Sequence, residues 1–119
     1  MRSLGLRGEE DALAYLKGQG YRIIKRNYKA PGAEVDIIAM DKGQLVFVEV
    51  KARSGDEFGE PAEAVGARKQ RKLKEAAECY LASLKRPEEM PSARFDIVGV
   101  RYYEDRPTVI DHIKDAFMV

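Results

Sequence analysis

Two acidic side chains and a lysine interrupt the most apolar part of the sequence. Residues 45–51 read Leu-Val-Phe-Val-Glu-Val-Lys, so Glu49 and Lys51 lie two positions apart in a segment whose Val and Phe content is typical of a buried strand. Asp36 lies near the start of the preceding apolar run, residues 35–40. Because residues i and i+2 of a strand share a face, we expect Glu49 and Lys51 to lie side by side. A buried carboxylate is costly unless it is paired or bound to a cation, so these acids need partners.

The segment between the two apolar runs predicts that the acids meet. It reads Asp-Lys-Gly-Gln, residues 41–44, and its length and glycine favour a tight β-hairpin. With residues 42 and 43 as the turn, Asp36 falls opposite Glu49, with about 4.5–5.5 Å between the two Cα atoms. Like charges at that distance destabilise a sheet unless a cation lies between them, and hard divalent ions prefer carboxylate oxygens. One more residue in the turn would move Asp36 to the other face.

Two interpretations of this pattern are open from the residues alone. Glu-x-Lys on a strand is also typical of a solvated face on which the two side chains pair with each other. The context favours a metal-dependent site, because an acid, a hairpin and Glu-x-Lys occur together inside a Val- and Phe-rich stretch. In that arrangement Lys51 stands beside the ion.

The elements that position these residues follow from periodicity and from Gly and Pro punctuation. Helical spacing of apolar residues alternates with β-branched runs, and Gly18, Gly20, Pro61 and Pro87 mark element ends. The chain of 119 residues fits one domain, over residues 1–119, of α/β class. The predicted elements are a helix over 8–18, strands over 21–28, 35–40 and 45–50, a helix over 61–86, and strands over 94–102 and 108–113.

Composition excludes several classes of protein. Cys79 and His112 are the only residues of their types, which excludes zinc clusters and makes a Cys-His or Ser-His-Asp enzyme improbable. No apolar run reaches the roughly 20 residues of a membrane-spanning helix, so we expect no membrane association and a cytoplasmic location. The 21 Lys and Arg against 20 Asp and Glu give a net charge of +1, which by itself does not indicate a nucleic-acid-binding protein.

One segment of the second helix nevertheless concentrates positive charge. Residues 68–74 carry five basic residues in seven positions. Such a run is commonly a solvated helix face. We prefer contact with nucleic-acid phosphates, because the run follows soon after the loop behind Lys51. Backbone-directed charge of this kind predicts binding to the shape or structure of DNA without base reading. The candidate contacts are Lys69, Arg68, Arg71 and Lys72.

The acidic residues resemble a known signature. Asp36 followed by Glu49-Val50-Lys51 on the next predicted strand resembles the PD-(D/E)XK nuclease motif, with Val35 in place of the usual proline. Beyond that motif the chain resembles, nearly from end to end, the YraN family of bacterial endonuclease-like proteins. Ala33 departs from the family's usual glycine and touches no expected ligand. The resemblance is carried by Gly8-Glu9, Ala12, Tyr15-Leu16, Gly20-Tyr21, Arg26-Asn27, residues 34–39 and 46–53, Phe58-Gly59, Ala64-Val65, Lys69, residues 94–96 and Ala116-Phe117.

The resemblance implies a restriction-endonuclease-like αβββαβ core, with a mixed central sheet of about five strands flanked by helices, related to archaeal Holliday-junction resolvases. It also implies a Mg²⁺ or Mn²⁺ site. Carried over by position, Asp36 and Glu49 are metal ligands, and Val50 offers its backbone carbonyl to the metal. Lys51 is the catalytic lysine, and Glu9 on the first helix is the third acid. Because junction resolvases act as dimers, a homodimer is expected by analogy.

The leading hypothesis is therefore a metal-dependent nuclease that hydrolyses phosphodiester bonds of DNA, with branched or single-stranded DNA as candidate substrates. The alternative is a nucleic-acid-binding protein of the same fold that does not cleave. A third hypothesis is an interaction module whose charged strand pairs with a protein partner. Binding of divalent cations by Asp36 and Glu49 separates the first hypothesis from the third.

Overall fold

A five-stranded mixed sheet lies between two helices in the computed structural model, which describes residues 3–55, 65–84 and 92–117. Its strands follow one another in chain order, and the third and fourth are parallel whereas the other neighbours are antiparallel. This order confirms the predicted α/β class and αβββαβ core. The elements are α1 (Leu4–Gly18), β1 (Arg22–Ala30), β2 (Ala33–Asp41), β3 (Gln44–Ser54), α2 (Ala67–Ala82), β4 (Ala93–Tyr102) and β5 (Val109–Phe117).

Each face of the sheet has its own apolar core. Side chains alternate along a strand, so β3 sends Val46 and Val48 toward α1 and sends Leu45 and Phe47 toward α2. On β4, Val98 likewise packs toward α1, whereas Ile97 packs toward α2. Because both faces of β3 are covered, the strand needs the continuous apolar run seen in its sequence. Any charged residue that β3 carries is therefore held against one of the two cores.

The hairpin between β2 and β3 has the predicted register. Asp41 pairs with Gln44 and Ile37 pairs with Val48. The two turn residues, Lys42 and Gly43, both have positive φ angles, 50° and 83°, as the two-residue turn of a twisted hairpin requires. This register places residue 36 opposite residue 49, as predicted.

The helices differ from their predicted limits. α1 begins at Leu4, four residues before the predicted start, because Ser3 caps it by accepting a hydrogen bond from the Leu6 amide at 3.1 Å. Residues 65–66 and 83–84 are not helical, so α2 is shorter than the predicted helix, whose two ends lie outside the described residues. None of the helices in the described part of the chain is long and apolar enough to cross a membrane.

A buried polar cluster joins β4 to α1, β1 and β5. The Asp96 side chain is fully buried and accepts hydrogen bonds from Arg94 Nε at 2.9 Å and from the Asp115 amide at 3.0 Å. His112 Nε2 lies 2.8 Å from its carboxylate, and the Tyr21 hydroxyl donates to it at 3.2 Å. The Asp115 contact draws β5 into a bulge with a φ of 51° at Asp115, which lets the strand continue to Phe117, beyond its predicted end at residue 113.

The polar cluster predicts a specific dependence of stability on pH. Burial alone would raise the pKa of Asp96, but hydrogen bonds from His112, Arg94 and the Asp115 amide outweigh it and lower the pKa from 3.8 to about 2. A lowered pKa stabilises the fold at pH values above about 4, and the contribution, about 2 kcal/mol, is lost as the pH falls through 2. Asp96→Asn should lower the free energy of unfolding at pH 7 by about 3 kcal/mol.

Urea unfolding of wild type and Asp96→Asn between pH 2 and pH 7 measures both effects. The variant should lack the component of the wild-type pH dependence that falls between pH 4 and pH 2. Asp105→Asn is the matched control, since the Asp105 side chain is 81% exposed and its removal should change stability little. Identical pH profiles for wild type and Asp96→Asn would contradict the assignment.

Candidate functional site

The backbone pairing of β2 and β3 ends where the acidic residues begin. The last paired residues are Ile37 and Val48. Two positions further along β3, the Val50 amide donates a hydrogen bond to Asp36 Oδ2 at 2.8 Å. A side-chain oxygen thus replaces the main-chain carbonyl that would bond this amide in a continued ladder. The two strands separate at this point, and Asp36 lies in the opening.

The neighbouring strand β1 is distorted at the same level. Asn27 lies between the pairs Arg26–Ile37 and Tyr28–Val35, so it is opposite Asp36. Its φ of 51° is left-handed, a conformation that Asn adopts more readily than most residues. Val35 packs in the core beneath α2, whereas Ile37, only two residues on, packs beneath α1. The regular alternation of faces is therefore broken at Asp36, which brings its carboxylate within reach of both sides of the sheet.

Asp36 and Glu49 form a carboxyl pair. Glu49 is 5% exposed, and its burial, together with the hydrogen bond to Asp36 and the charge of Asp36, raises its pKa to about 8. Such a pair holds a proton at neutral pH because two adjacent carboxylates repel each other in a buried site. Lys69 Nζ on α2 lies 3.3 Å from Glu49 Oε2, yet this buried oxygen makes no hydrogen bond. A cation between the carboxylates would replace the shared proton.

Glu9 approaches Asp36 from α1. Burial and the charge of Asp36 raise the pKa of Glu9, against the effects of Arg26 and of a hydrogen bond with Asn27. Its Oε1 is buried without a hydrogen bond, and Arg26 Nη2 lies 3.6 Å from it. Within residues 3–55, 65–84 and 92–117, no three His, Cys, Asp or Glu side chains are close enough together to hold one metal ion. Glu9 thus neighbours Asp36 without completing a three-acid centre with Glu49.

The donors at the strand opening fit a hard divalent cation. They are oxygens, two carboxyl groups are in contact, and one buried carboxylate oxygen has no hydrogen-bond partner. Mg²⁺ needs only one or two protein carboxylates, because water and substrate phosphates complete its coordination. Val50, whose carbonyl the family resemblance adds as a ligand, lies in the same opening, where its amide holds Asp36.

Lys51 lies on the same face of β3 as Glu49. Val50 and Ala52 pack against the core beneath α1, so by alternation the side chains of residues 49 and 51 point to the opposite face. Burial and Asp36 raise the pKa of Glu49. The positive charges of Lys69 and, to a smaller extent, Lys51 oppose them and lower it. The structure therefore brings Asp36, Glu49 and Lys51 together, as the sequence predicts.

The basic run of α2 divides into two groups. Lys69 and Lys72 line a cavity of about 420 Å³ between α2 and the β1–β2 turn, and Lys29 of β1 and one acid, Glu34 of β2, also line it. Lys72 Nζ donates a hydrogen bond to the Gly32 carbonyl at 2.9 Å, which ties the turn to the helix. The other two candidates, Arg68 and Arg71, lie exposed on α2.

Sequence reasoning did not assign a role to Asn27. Asn has a low preference for strands, so Asn27 within a stretch rich in Ile and Tyr is the signal that marks the distortion. Arg26 and Lys29 belong to a second basic stretch that the sequence shows along β1. The structure adds the position of each, Arg26 beside Glu9 and Lys29 at the cavity beside α2.

Comparison with known proteins identifies the family to which the chain belongs. The chain matches the model of a family described as "Uncharacterised protein family UPF0102" over residues 8–100. A UPF0102 protein of Symbiobacterium thermophilum is 47% identical over 116 residues, which cover 98% of this chain and 97% of the relative. A UPF0102 protein of Syntrophotalea carbinolica is 46% identical over 117 residues, with 98% and 93% covered. The chain therefore belongs to the UPF0102 family, the YraN family that its sequence resembles.

Proposed function

We propose that the protein is a metal-dependent nuclease that hydrolyses phosphodiester bonds of DNA. The observation that carries the proposal is the Asp36–Glu49 carboxyl pair at a break in the β2–β3 ladder, in which Glu49 is buried and Asp36 half-buried, with Lys51 on the same face as Glu49. Holding two carboxyl groups in contact, one of them buried, opposes folding, and a purely structural sheet gains nothing from it. A cation site explains why both acids are held there.

The residues around the pair have distinct roles in this proposal. Asp36 and Glu49 hold Mg²⁺ or Mn²⁺, with the Val50 carbonyl as the further ligand that the resemblance implies. When bound, the ion polarises the scissile phosphate and acidifies a water molecule. Lys51 orients the attacking water or balances negative charge that develops on phosphorus. The unpartnered oxygen of Glu9, on the α1 side of Asp36, can accept a hydrogen bond from a water molecule.

The basic cavity beside Glu49 supports phosphate contact. Lys69 reaches Glu49 and also lines the cavity with Lys29 and Lys72. A phosphate that enters the cavity would meet three ammonium groups, and Lys69 could then exchange its contact with Glu49 for one with the phosphate. Such contacts are made to the sugar–phosphate backbone and do not distinguish the bases. They therefore fit a protein that recognises the structure of DNA more than its sequence. Arg68 and Arg71 add exposed positive charge along the same helix.

Binding without turnover is the second candidate function. It is favoured by one observation, that the described residues contain no group of three carboxylate, His or Cys side chains able to hold an ion together. A site with only two carboxylates depends on substrate phosphate and water for the rest of the coordination. The two candidates share the same phosphate-binding surface and differ in whether the DNA is cut.

Removal of either acid should abolish cleavage. In Asp36→Asn or Glu49→Gln the amide keeps the shape of the side chain but loses the negative charge that holds the cation. We expect Mn²⁺-dependent cleavage of duplex, flap, four-way and single-stranded DNA to fall at least about 100-fold, and Lys51→Ala to have a similar effect. Glu78→Gln, which changes an exposed acid on α2, is the matched control and should cleave as wild type does. Unchanged cleavage in both acid variants would overturn the proposed site.

The Asp36–Glu49 pair predicts that Glu49→Gln preserves or raises stability but abolishes metal binding. The raised pKa of Glu49 means that its ionised form opposes folding at pH values above 4.5, with the full cost reached above about pH 8. In EDTA at pH 8, Glu49→Gln should therefore melt at or above the wild-type temperature. Addition of Mn²⁺ should raise the melting temperature of wild type and leave that of the variant unchanged. An equal Mn²⁺ response of the two proteins would place the metal elsewhere.

A further inference from the structure

One glycine of α1 lies in direct contact with β3. Gly8 is buried, and a Cβ atom at this position would lie 2.5 Å from the Cβ atom of Ala52. Two carbon atoms in ordinary contact are about 3.5–4.0 Å apart, so a side chain at residue 8 would push α1 away from β3 by about 1 Å or more. The distance between the helix and the strand therefore depends on the absence of a side chain at Gly8.

A second glycine of the same helix shows that this contact is specific to Gly8. Glycine lowers the stability of a helix interior relative to alanine, so a helical glycine indicates a further constraint. Gly5, three residues earlier on α1, is exposed, and a Cβ atom there would have no described atom within 4 Å. The two glycines therefore differ in the approach of the sheet and form a matched pair for substitution.

Neighbouring contacts hold α1 at this distance from the sheet. The Tyr102 hydroxyl of β4 donates a hydrogen bond to Asp11 Oδ2 on α1, and the Arg7 guanidinium lies over the Tyr102 ring, 4.0 Å from its centroid. Ala52 pairs with Val100 in the β3–β4 ladder, so β3 is fixed by its backbone whereas α1 is held through side chains. Crowding at residue 8 would therefore move the helix before it moves the strand.

The close approach of α1 places Glu9, the next residue, at the strand opening. The Glu9 side chain is 12% exposed, and its buried Oε1 lies 3.6 Å from Arg26 Nη2 of β1. Burial and the charge of Asp36 raise the pKa of Glu9, against the lowering effects of Arg26 and Asn27. The neighbours of Glu9 thus lie on β1 and β2, whereas Gly8 touches β3. A displacement of α1 at Gly8 would change the distance from the Glu9 carboxyl group to Asp36.

We infer that Gly8 is a positioning residue of the candidate metal site: its contact with Ala52 sets the distance between α1 and β3 at which the Glu9 carboxyl group reaches Asp36. The inference rests on the proposed function for the cation and adds a residue that acts on it through Glu9. Ala52 directly follows Lys51 on β3, so the same contact joins the segment that carries Glu9 to the segment that carries Lys51. Loss of a group that supports metal ligands commonly lowers metal affinity by about 10- to 100-fold.

Transfer of one methyl group between the helix and the strand tests the inference. Gly8→Ala adds a methyl group on α1, and combination with Ala52→Gly removes the methyl group that it meets on β3. The nearest described atom to the new methyl group is then the Cα atom of residue 52 at 3.6 Å, an ordinary contact. The double variant should therefore return α1 to its wild-type distance, whereas Gly8→Ala alone should displace it. Gly5→Ala is the matched control, because it adds the same methyl group to the same helix where no described atom is close.

Two measurements report the position of Glu9. In EDTA, the nuclear magnetic resonance signals of the Asn27 side-chain amide should shift in Gly8→Ala, as they should in Glu9→Gln, and should return to their wild-type positions in the double variant. Calorimetric titration with Mn²⁺, well below the melting temperatures, should show about tenfold weaker binding by Gly8→Ala and by Glu9→Gln. The double variant and Gly5→Ala should bind Mn²⁺ as wild type does. Because Gly8 acts through Glu9, Gly8→Ala combined with Glu9→Gln should bind Mn²⁺ no more weakly than Glu9→Gln alone.

A role of Gly8 in packing alone gives a different result. Gly8→Ala would then melt at a lower temperature than wild type but keep the wild-type Asn27 signals and the wild-type Mn²⁺ affinity, and this overturns the inference. If Gly8→Ala does not fold, Ala52→Ser takes its place, because it crowds Gly8 by a single oxygen atom. Unchanged Asn27 signals and unchanged Mn²⁺ affinity in Ala52→Ser overturn the inference in the same way.

The outcome is separable from that of the proposed function. Binding of Mn²⁺ by wild type with unchanged affinity in Gly8→Ala overturns the positioning role and leaves the metal site standing. Failure of wild type to bind Mn²⁺ overturns the proposed metal site, and the Asn27 signals in EDTA then decide the inference. A shift in Gly8→Ala that the double variant reverses supports the positioning of Glu9 by Gly8, and the lack of a shift overturns it.

Discussion

The hydrogen bond from the Val50 amide to Asp36 Oδ2 is the contact on which the site depends. It ends the β2–β3 ladder without leaving the amide unsatisfied, a condition that every buried strand must meet. The same bond fixes the Asp36 carboxylate beside Glu49, because Glu49 precedes Val50 on β3. Asn27 makes the break possible from the other side, since its left-handed backbone lets β1 follow the altered path of β2. One backbone irregularity, shared by three strands, thus creates the opening and places the carboxyl groups of Asp36 and Glu49 in it.

The two polar clusters of the sheet differ in how completely their carboxyl groups are hydrogen-bonded. Around Asp96, partners from β4, from β5 and from Tyr21 just before β1 surround the carboxylate, and the pKa is lowered. At the other cluster, Glu9 and Glu49 each retain a buried oxygen with no hydrogen bond, and both pKa values are raised. The first cluster is complete within the chain and stabilises the fold. The second is incomplete and has the character of a binding site.

The sequence predicts those parts of the site that local rules determine. The turn at Lys42 and Gly43 sets the register, and the register alone brings Asp36 and Glu49 together. The position of Glu9 follows from the family resemblance, and its separation from a single three-acid centre becomes evident only in three dimensions. Long-range electrostatics are set by packing and are absent from local patterns.

The near-neutral net charge is consistent with contact to a polyanion because the charges are segregated. Glu49 is buried and Asp36 half-buried at the strand opening, while Lys69 and Lys72 lie beside them on the α2 side. The field of these side chains decays within a Debye length of about 8 Å at physiological salt, so in the proposed function it would act on a strand that already lies on the face. It would position phosphates beside the acid pair, and the shape of the DNA that can follow that path would supply the specificity.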